Sequence, residues 1–235
     1  MAEDPDGDRF AHAVRLLLLI DAAADPLPEA GTPPVSGAVA ALRSQGRLQK
    51  LDFWLRNPDY LADELLTDYE KDPDKQPALL DLAATILDSD EPEIFSIPML
   101  RFLFGAYEAL DRTLALLVAP RLIVVAHRRS ADGRRVLLEE YYLTQKGRDL
   151  AAQAREMFPM LVWYSERAAL VRALADGTGS SVVALRNRQY LQRDYAETPL
   201  NETIPGIANR ARQRLSRLKV QAAVKADIEE AEELA

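Results

Sequence analysis

The chain has no cysteine and only two histidines in 235 residues. The first absence excludes disulfides, thiolate metal sites and cysteine nucleophiles together. The second leaves little for imidazole chemistry: His12 and His127 fall in unrelated segments, and the expectation is one packed and one solvated ring rather than a shared metal. Long apolar runs are missing too. The longest candidate, Val14 to Ala24, is interrupted by Arg15 and Asp21, and it is shorter than the roughly 18 residues of a membrane span. A basic start is lacking, because MAEDPDGD is acidic where a secretory signal begins with positive charge. A cytoplasmic protein is expected.

Base is in deficit overall. Lys and Arg number 29 against 37 Asp and Glu, a net charge of -8, which argues against a surface that tracks nucleic acid over its whole extent. The distribution is uneven, however. Acid crowds the N-terminus and Asp63 to Asp74, while base gathers between Arg121 and Arg148 and again between Arg210 and Lys225. Catalytic constellations are also absent. Asp176-Gly177-Thr178-Gly179-Ser180 has no following Lys and no preceding strand, so it reads as a helix C-cap followed by an N-cap rather than a phosphate cradle. Asp63-Glu64 and Glu139-Glu140 lack a partnered His, which leaves paired-carboxylate catalysis without an anchor. We expect no enzyme, no metal, no cofactor and no small-molecule substrate.

What is present is an ordinary globular composition, 48% hydrophobic, long enough for one large or two small domains. The chain is organised around Met99 to Leu150. Leu110, Leu114, Leu117 and Val118 recur at helical spacing and make one apolar face, which Pro120 stops. Leu122 to Ala126 reads as a strand, Ser130-Ala131-Asp132-Gly133 as a hairpin turn, and Val136 to Leu143 as the return strand. Thr144 suits the N-cap of a helix Gln145 to Met157. Helix, hairpin, helix is the order of a winged helix.

Upstream, Asp8 is a cap for a helix Arg9 to Ala24, and the prolines of Asp25 to Pro34 make a loop. Ser36 is expected to cap a short helix to Ser44. Arg47 to Arg56 is helical, and Asn57-Pro58-Asp59 starts another helix, to about Tyr69. These short helices read as a wingless helix-turn-helix or as an oligomerisation layer. A linker, Lys71 to Pro77, precedes a helix Ala78 to Leu87 and an acidic loop Asp88 to Pro92. Beyond the hairpin unit, Phe158 to Ala175 is a helix with Pro159 in its first turn and Gly177 past its end, and Ser180 to Gln192 is another. The aromatic group Phe158, Trp163 and Tyr164, with Met157 and Met160, reads as core or as a partner-binding patch. Ile204, Ala208, Ala211, Leu215, Leu218 and Ala222 form a stripe on a terminal helix with an acidic tail at Asp227 to Glu233. The expected fold is mainly α: a helical half (1–76), a winged-helix unit with one β-hairpin (77–157), and a C-terminal helical extension (158–235).

The run PMLRFLFGAYEALDRTLALLVAPRLIVV, then RRSADGRRV, then YYLTQKGRDLA resembles the winged-helix portion of MarR-like and PadR-like bacterial regulators. More of the chain, through LLLLID, RLQKLDFWLRNPDYL, RFLFGAYE-ALDRTLALLV and the N-E-x-I-P stretch, is similar to the middle components of bacterial ABC-three-component systems. Phe104-Gly105-Ala106-Tyr107 departs from the aromatic-Gly-Pro-Trp pattern expected there. The resemblance implies a non-enzymatic adaptor between an SMC-like or Rad50-like ATPase and an effector, in anti-phage defence or genome surveillance. The alternative is a stand-alone regulator that binds operator DNA as a dimer.

Candidate DNA contacts are Arg128, Arg129, Arg134 and Arg135, on both sides of the Gly turn, with Arg112 on the preceding helix. The plain reading of the four is a solvated hairpin whose charges guard an edge. Glu108 and Asp111 at the working end of that helix would repel phosphate, and Ala115 and Ala119 read little, so sequence-specific recognition is not expected. Candidate partner contacts lie on the terminal helix: Ile204, Ala211, Leu215 and Leu218 in the stripe, flanked by Arg210, Arg214 and Arg217. An Ala-rich stripe suits close approach to a partner or to a second copy.

Overall fold

A computed structural model describes residues 5–28, 33–88, 99–102, 105–179 and 181–233. The fold is mainly α with a small antiparallel sheet. In chain order the first elements are α1 (Pro5–Ala23), β1 (Asp25–Pro26), β2 (Ala38–Arg43), α2 (Gln45–Arg56), α3 (Pro58–Lys71) and α4 (Ala78–Asp88). Then come β3 (Leu100–Phe102), β4 (Gly105–Tyr107), α5 (Asp111–Val118), β5 (Ile123–Arg129), β6 (Val136–Thr144) and α6 (Gln145–Met157). The chain closes with α7 (Pro159–Thr178), α8 (Val182–Tyr190), α9 (Arg193–Glu197) and α10 (Ala208–Glu233). Two compact units result, and each is discontinuous: Met1–Leu55 with Met99–Thr203, and Arg56–Pro98 with Ile204–Ala235. The expected division at 76 and 157 is therefore corrected. Hydrophobic faces close on partners distant in sequence, which contiguous segmentation misses.

In the first unit α1 is the central helix. Leu16 to Ile20 are all buried, because a helix that is apolar nearly all round needs neighbours on every side. It has them in α5, α6 and α7. The sheet runs β1-β2-β6-β5, antiparallel throughout. The hairpin falls as expected, and Thr144 caps α6 by accepting from Gly147 N at 3.1 Å. Ala38, Ala41 and Tyr142 make one covered face of the sheet, with Leu27, Val35, Val124 and Ala126 packed against it.

The Ser36-capped helix expected to reach Ser44 is instead strand β2. Alanine and leucine favour helix locally, but Gly37 and Ser44 adopt positive φ of 77° and 84° at the two ends, and β6 supplies the backbone partners from Ala38 to Arg43. Tertiary pairing overrides a propensity worth tenths of a kcal/mol per residue. The residues before α5 are a second correction. Leu100–Phe102 and Gly105–Tyr107 pair as a small hairpin, tied to the chain at 201–203 by Arg101 N to Glu202 O (2.9 Å) and Asn201 N to Arg101 O (2.7 Å). Gly177 lies inside α7, which ends at Gly179 in the left-handed region, and Ser181 rather than Ser180 caps α8. Of the aromatic group, Tyr164 is buried, Trp163 is half-buried under the Arg167 guanidinium (4.9 Å), and Met157, Phe158 and Met160 are exposed. The acidic loop expected at Asp88 to Pro92 lies, after Asp88, outside the described residues.

In the second unit α3, α4 and α10 pack on one another. Pro58 opens α3 after Asn57 as expected, and α10 extends to Glu233, through the acidic tail. Asp59 pins the start of the terminal segment by accepting from Ile207 N, and Tyr60 Oη donates to Pro205 O at 2.9 Å.

Two substitutions test this packing. A Cβ on Gly147 would overlap Leu122 O and stand 2.9 Å from Leu122 C, both backbone atoms. Gly147→Ala should therefore destabilise despite the gain of about 1 kcal/mol in helix propensity, read as a lower urea midpoint. Leu215→Ala should cost about 2–5 kcal/mol, the cavity cost of a buried leucine, in chemical denaturation followed by far-UV circular dichroism.

Candidate nucleic-acid interface

The hairpin β5–β6 owes its tip to a turn rich in internal hydrogen bonds. Gly133 takes φ +69°, its N–H donates to Ser130 O (2.8 Å), and Ser130 N donates to Arg135 O (2.9 Å). Ser130 Oγ accepts from Arg135 N at 3.0 Å. Asp132, the one carboxylate in the turn, accepts from the Ser130 hydroxyl and from Arg134 N (3.1 Å). Those two hydrogen bonds, the hydroxyl's first, hold its carboxyl below the usual aspartate range. One of its oxygens, Oδ1, is thus engaged by the turn itself.

Arg128, Arg129, Arg134 and Arg135 are all exposed around this turn. Among the described residues none of the four makes an ion pair; Arg129 Nη1 reaches only Gly133 O, at 3.4 Å. Four guanidinium groups and one carboxylate leave a strongly positive tip. The sheet supports the hairpin only partway: β2 ends with Arg43 opposite Glu140, and Ser44 N donates the last bond, to Glu139 O at 2.8 Å. Beyond that point β5 and β6 have only each other. Their pairing slips between Arg128 and Arg129, which face Leu138 and Val136 and leave Leu137 as the extra residue of a bulge. Arg112 is exposed in the first turn of α5, at the end of that helix away from β5, so it is not gathered into the tip.

Glu108 does not behave as its sequence position suggests. It precedes α5 rather than lying in it, and Gln49 holds its backbone from both sides, accepting from Glu108 N (3.1 Å) and donating to Glu108 O (2.6 Å). Its carboxylate lies 3.4 Å from His12 Nδ1 and 3.6 Å from Arg15 Nη2. The expected repulsion of phosphate by Glu108 is thereby corrected: the charge is turned onto the His12 ring and the buried Arg15 guanidinium. Asp111 remains exposed at the start of α5.

The partner stripe is corrected as well. Ile204, Ala211, Leu215 and Leu218 are buried inside the second unit, because α10 closes the core that α3 and α4 begin. Its arginines are occupied there. Arg214 spans Asp63 (2.8 Å) and Glu70 (2.7 Å); Arg210 lies 3.9 Å from Asp63 and Arg217 3.6 Å from Glu70. Burial opposes the charge on Arg214, but its hydrogen bonds to Glu70 and Asp63, together with their negative charges, outweigh it and hold the guanidinium above its ordinary pKa. The basic run of the terminal helix neutralises the acidic run Asp63 to Asp74, a match the sequence displayed as two separate clusters. Lys225 with Asp74 extends it.

Sequence reasoning passed over a buried polar group behind β4. Tyr195 Oη accepts from Ala106 N (2.6 Å) and donates to Gln189 Oε1 (3.2 Å). A Cβ on Gly105, at φ +114°, would fall on that hydroxyl and 2.6 Å from Lys50 Nζ. Burial first, then the charge of Arg186, pulls the Lys50 ammonium from 10.5 down to about 8. The only sequence signals were a Gly beside an aromatic and a Lys near the apolar Leu51 and Phe53 in a helix of mixed polarity. Among the described residues no group of three or more His, Asp or Glu side chains is placed to hold a metal ion, and no single helix is long and apolar enough to cross a membrane.

Lys50 generates a pH prediction. The folded chain gives up this proton near pH 8, the unfolded chain near 10.5, so between those values the unfolded state binds more protons and stability rises with pH. The full effect is about 3 kcal/mol. Urea midpoints of the wild type should climb from pH 8 to 9, below the range where tyrosines ionise appreciably, and Lys50→Met should flatten the climb. Comparison with known proteins returns no matching family model, no matching curated protein and no matching solved structure.

Proposed function

We propose that this protein is a non-enzymatic winged-helix adaptor that touches duplex DNA through its hairpin, without regard to sequence. The observation that carries the reading is the hairpin tip: four exposed arginines with no ion pair among the described residues, beyond the last strand that supports the hairpin. Phosphate backbones are bound by such concentrated, unneutralised charge, and binding of this kind carries no base information. The strand order β2-β6-β5, with α1 before β2 and α5 before the hairpin, supports reading β5–β6 as a wing. On α5 the exposed positions, Asp111, Arg112, Ala115 and Val118, with Ala119 just after it, offer little to a base edge. The resemblance to middle components of ABC-three-component systems supplies the rest of the proposal: a cytoplasmic adaptor that accompanies an SMC-like ATPase and an effector and needs no cofactor. The terminal helix is excluded as its docking stripe by burial.

The test is binding to several unrelated duplexes of equal length across a salt series, by fluorescence anisotropy. Affinities should agree between sequences. Replacing Arg128, Arg129, Arg134 and Arg135 by Ala should weaken all of them alike and reduce the salt slope by about 3–4, near 0.9 per lost phosphate contact. Strong preference for one palindromic duplex would instead establish a regulator, and an unchanged salt slope would remove the wing from the interface.

A further inference from the structure

Two cavities in the first unit share one wall. A groove of about 430 Å³ runs along the base of the wing, where Ser44, Gln45 and His127 face Val136 and Leu137. A cleft of about 230 Å³ lies between α2 and the β3–β4 hairpin, lined by Gln45, Gly46 and Lys50 on one side and Phe102 and Tyr107 on the other. Gln45 belongs to both, so the two cavities adjoin, and Val136 of the groove pairs with Arg129 of the tip. The cleft is the more apolar of the two and is smaller than the roughly 300 Å³ at which sites for drug-sized molecules begin. It has room for one planar ring system.

Its walls suit such a ring. Phe102 and Tyr107 are 42% and 38% exposed, and their rings sit 5.4 Å apart at 35°. They are thus a partly exposed aromatic pair on the wall of the cleft rather than a closed core pair. Cations stand at both ends of the path: the wing arginines at one, Lys50 with the nearby charge of Arg186 at the other. Arg186 and Arg101 also lie over the Tyr190 ring, at 6.0 and 5.5 Å. Among the described residues lining the two cavities Glu139 is the one carboxylate, and it is turned onto His127 at 3.7 Å. Val136 and Leu137, exposed beside the arginines, offer apolar contact to sugars along the way.

Positive charge that tracks a backbone, interrupted by exposed aromatic faces, is the arrangement that holds unpaired nucleic acid, since every base has a face to stack. A duplex keeps its bases stacked on one another and cannot offer one to a cleft of this size. We propose that the cleft receives the base of an unpaired nucleotide, so that the chain holds a single strand from the wing to Phe102 and Tyr107. This rests on the reading of the wing as a nucleic-acid contact, and it adds what kind of nucleic acid is preferred.

The experiment measures anisotropy of a labelled oligothymidine and of a labelled duplex of equal length, with the full chain. The wild type should bind both, the single strand more tightly. Phe102→Ala with Tyr107→Ala should weaken the single strand by about tenfold or more, the usual loss for a stacked base, and leave the duplex unchanged. Phe102→Leu with Tyr107→Leu keeps apolar volume and removes the ring faces; it should show the same selective loss with an unaltered thermal midpoint, which separates stacking from folding. If either folded variant binds oligothymidine as the wild type does while duplex binding persists, the cleft is not a base site and the wing reading stands. If the wild type binds neither probe, the wing reading fails and this inference falls with it. Competition by free thymidine monophosphate as effective as by the oligonucleotide would also overturn it, because the cleft would then take a small molecule rather than a strand.

Discussion

The first unit depends on one buried ion pair. Arg15 and Asp52 have fully covered side chains and meet through two hydrogen bonds, Nε to Oδ1 at 2.8 Å and Nη2 to Oδ2 at 3.2 Å. Arg15 stands at the start of RLLLLI, in the most deeply packed helix, where a lone guanidinium would be expensive to desolvate. Asp52 is what permits it. Such a pair need not add net stability over a hydrophobic substitute, but removing one member leaves an uncompensated buried charge, at about 3–5 kcal/mol. Its effect is selective: α1 and α2 have one relative placement in which both charges are answered. Glu108 joins at the edge of the pair, and Gln49 clasps its backbone, so the start of α5 is located by the same polar group.

Charge elsewhere is distributed by whether it is answered. Base and acid on the second unit meet across α3 and α10, with Asp63 and Glu70 receiving Arg210, Arg214 and Arg217. Among the described residues the wing arginines have no such counterpart. A chain with an acidic total can therefore still present a concentrated positive surface, because the sum counts neutralised groups and free ones alike. The wing is positioned by backbone rather than by side chains: β2 carries it as far as Glu139, and the bulge at Leu137 bends what lies beyond.

Glycine makes two of the close approaches that this arrangement requires. Gly147 lets the first turn of α6 lie against the Leu122 carbonyl, and Gly105 leaves room for the Tyr195 hydroxyl and the Lys50 ammonium. Neither need is visible in the flanking residues. The first fixes where the hairpin returns to the helical layer, and the second opens the cleft beneath Phe102 and Tyr107.

The sequence by itself determined the elements whose signals are local. Thr144 with its cap, the Gly turn, the helices α3, α4 and α6, and the exposed arginines of the tip follow from hydrogen-bonding groups and periodicities within a few residues. Only the tertiary structure decided the rest. Ala38 to Arg43 became a strand because β6 offers partners about a hundred residues later. Glu108 lost its repulsive role because His12 and Arg15 lie within reach. The stripe of α10, amphipathic in either case, became core because α3 and α4 leave a face that it fills. A stripe of apolar side chains states that something must cover it; which surface does so is set by the energy of long-range contacts, and spacing along the chain carries no record of that.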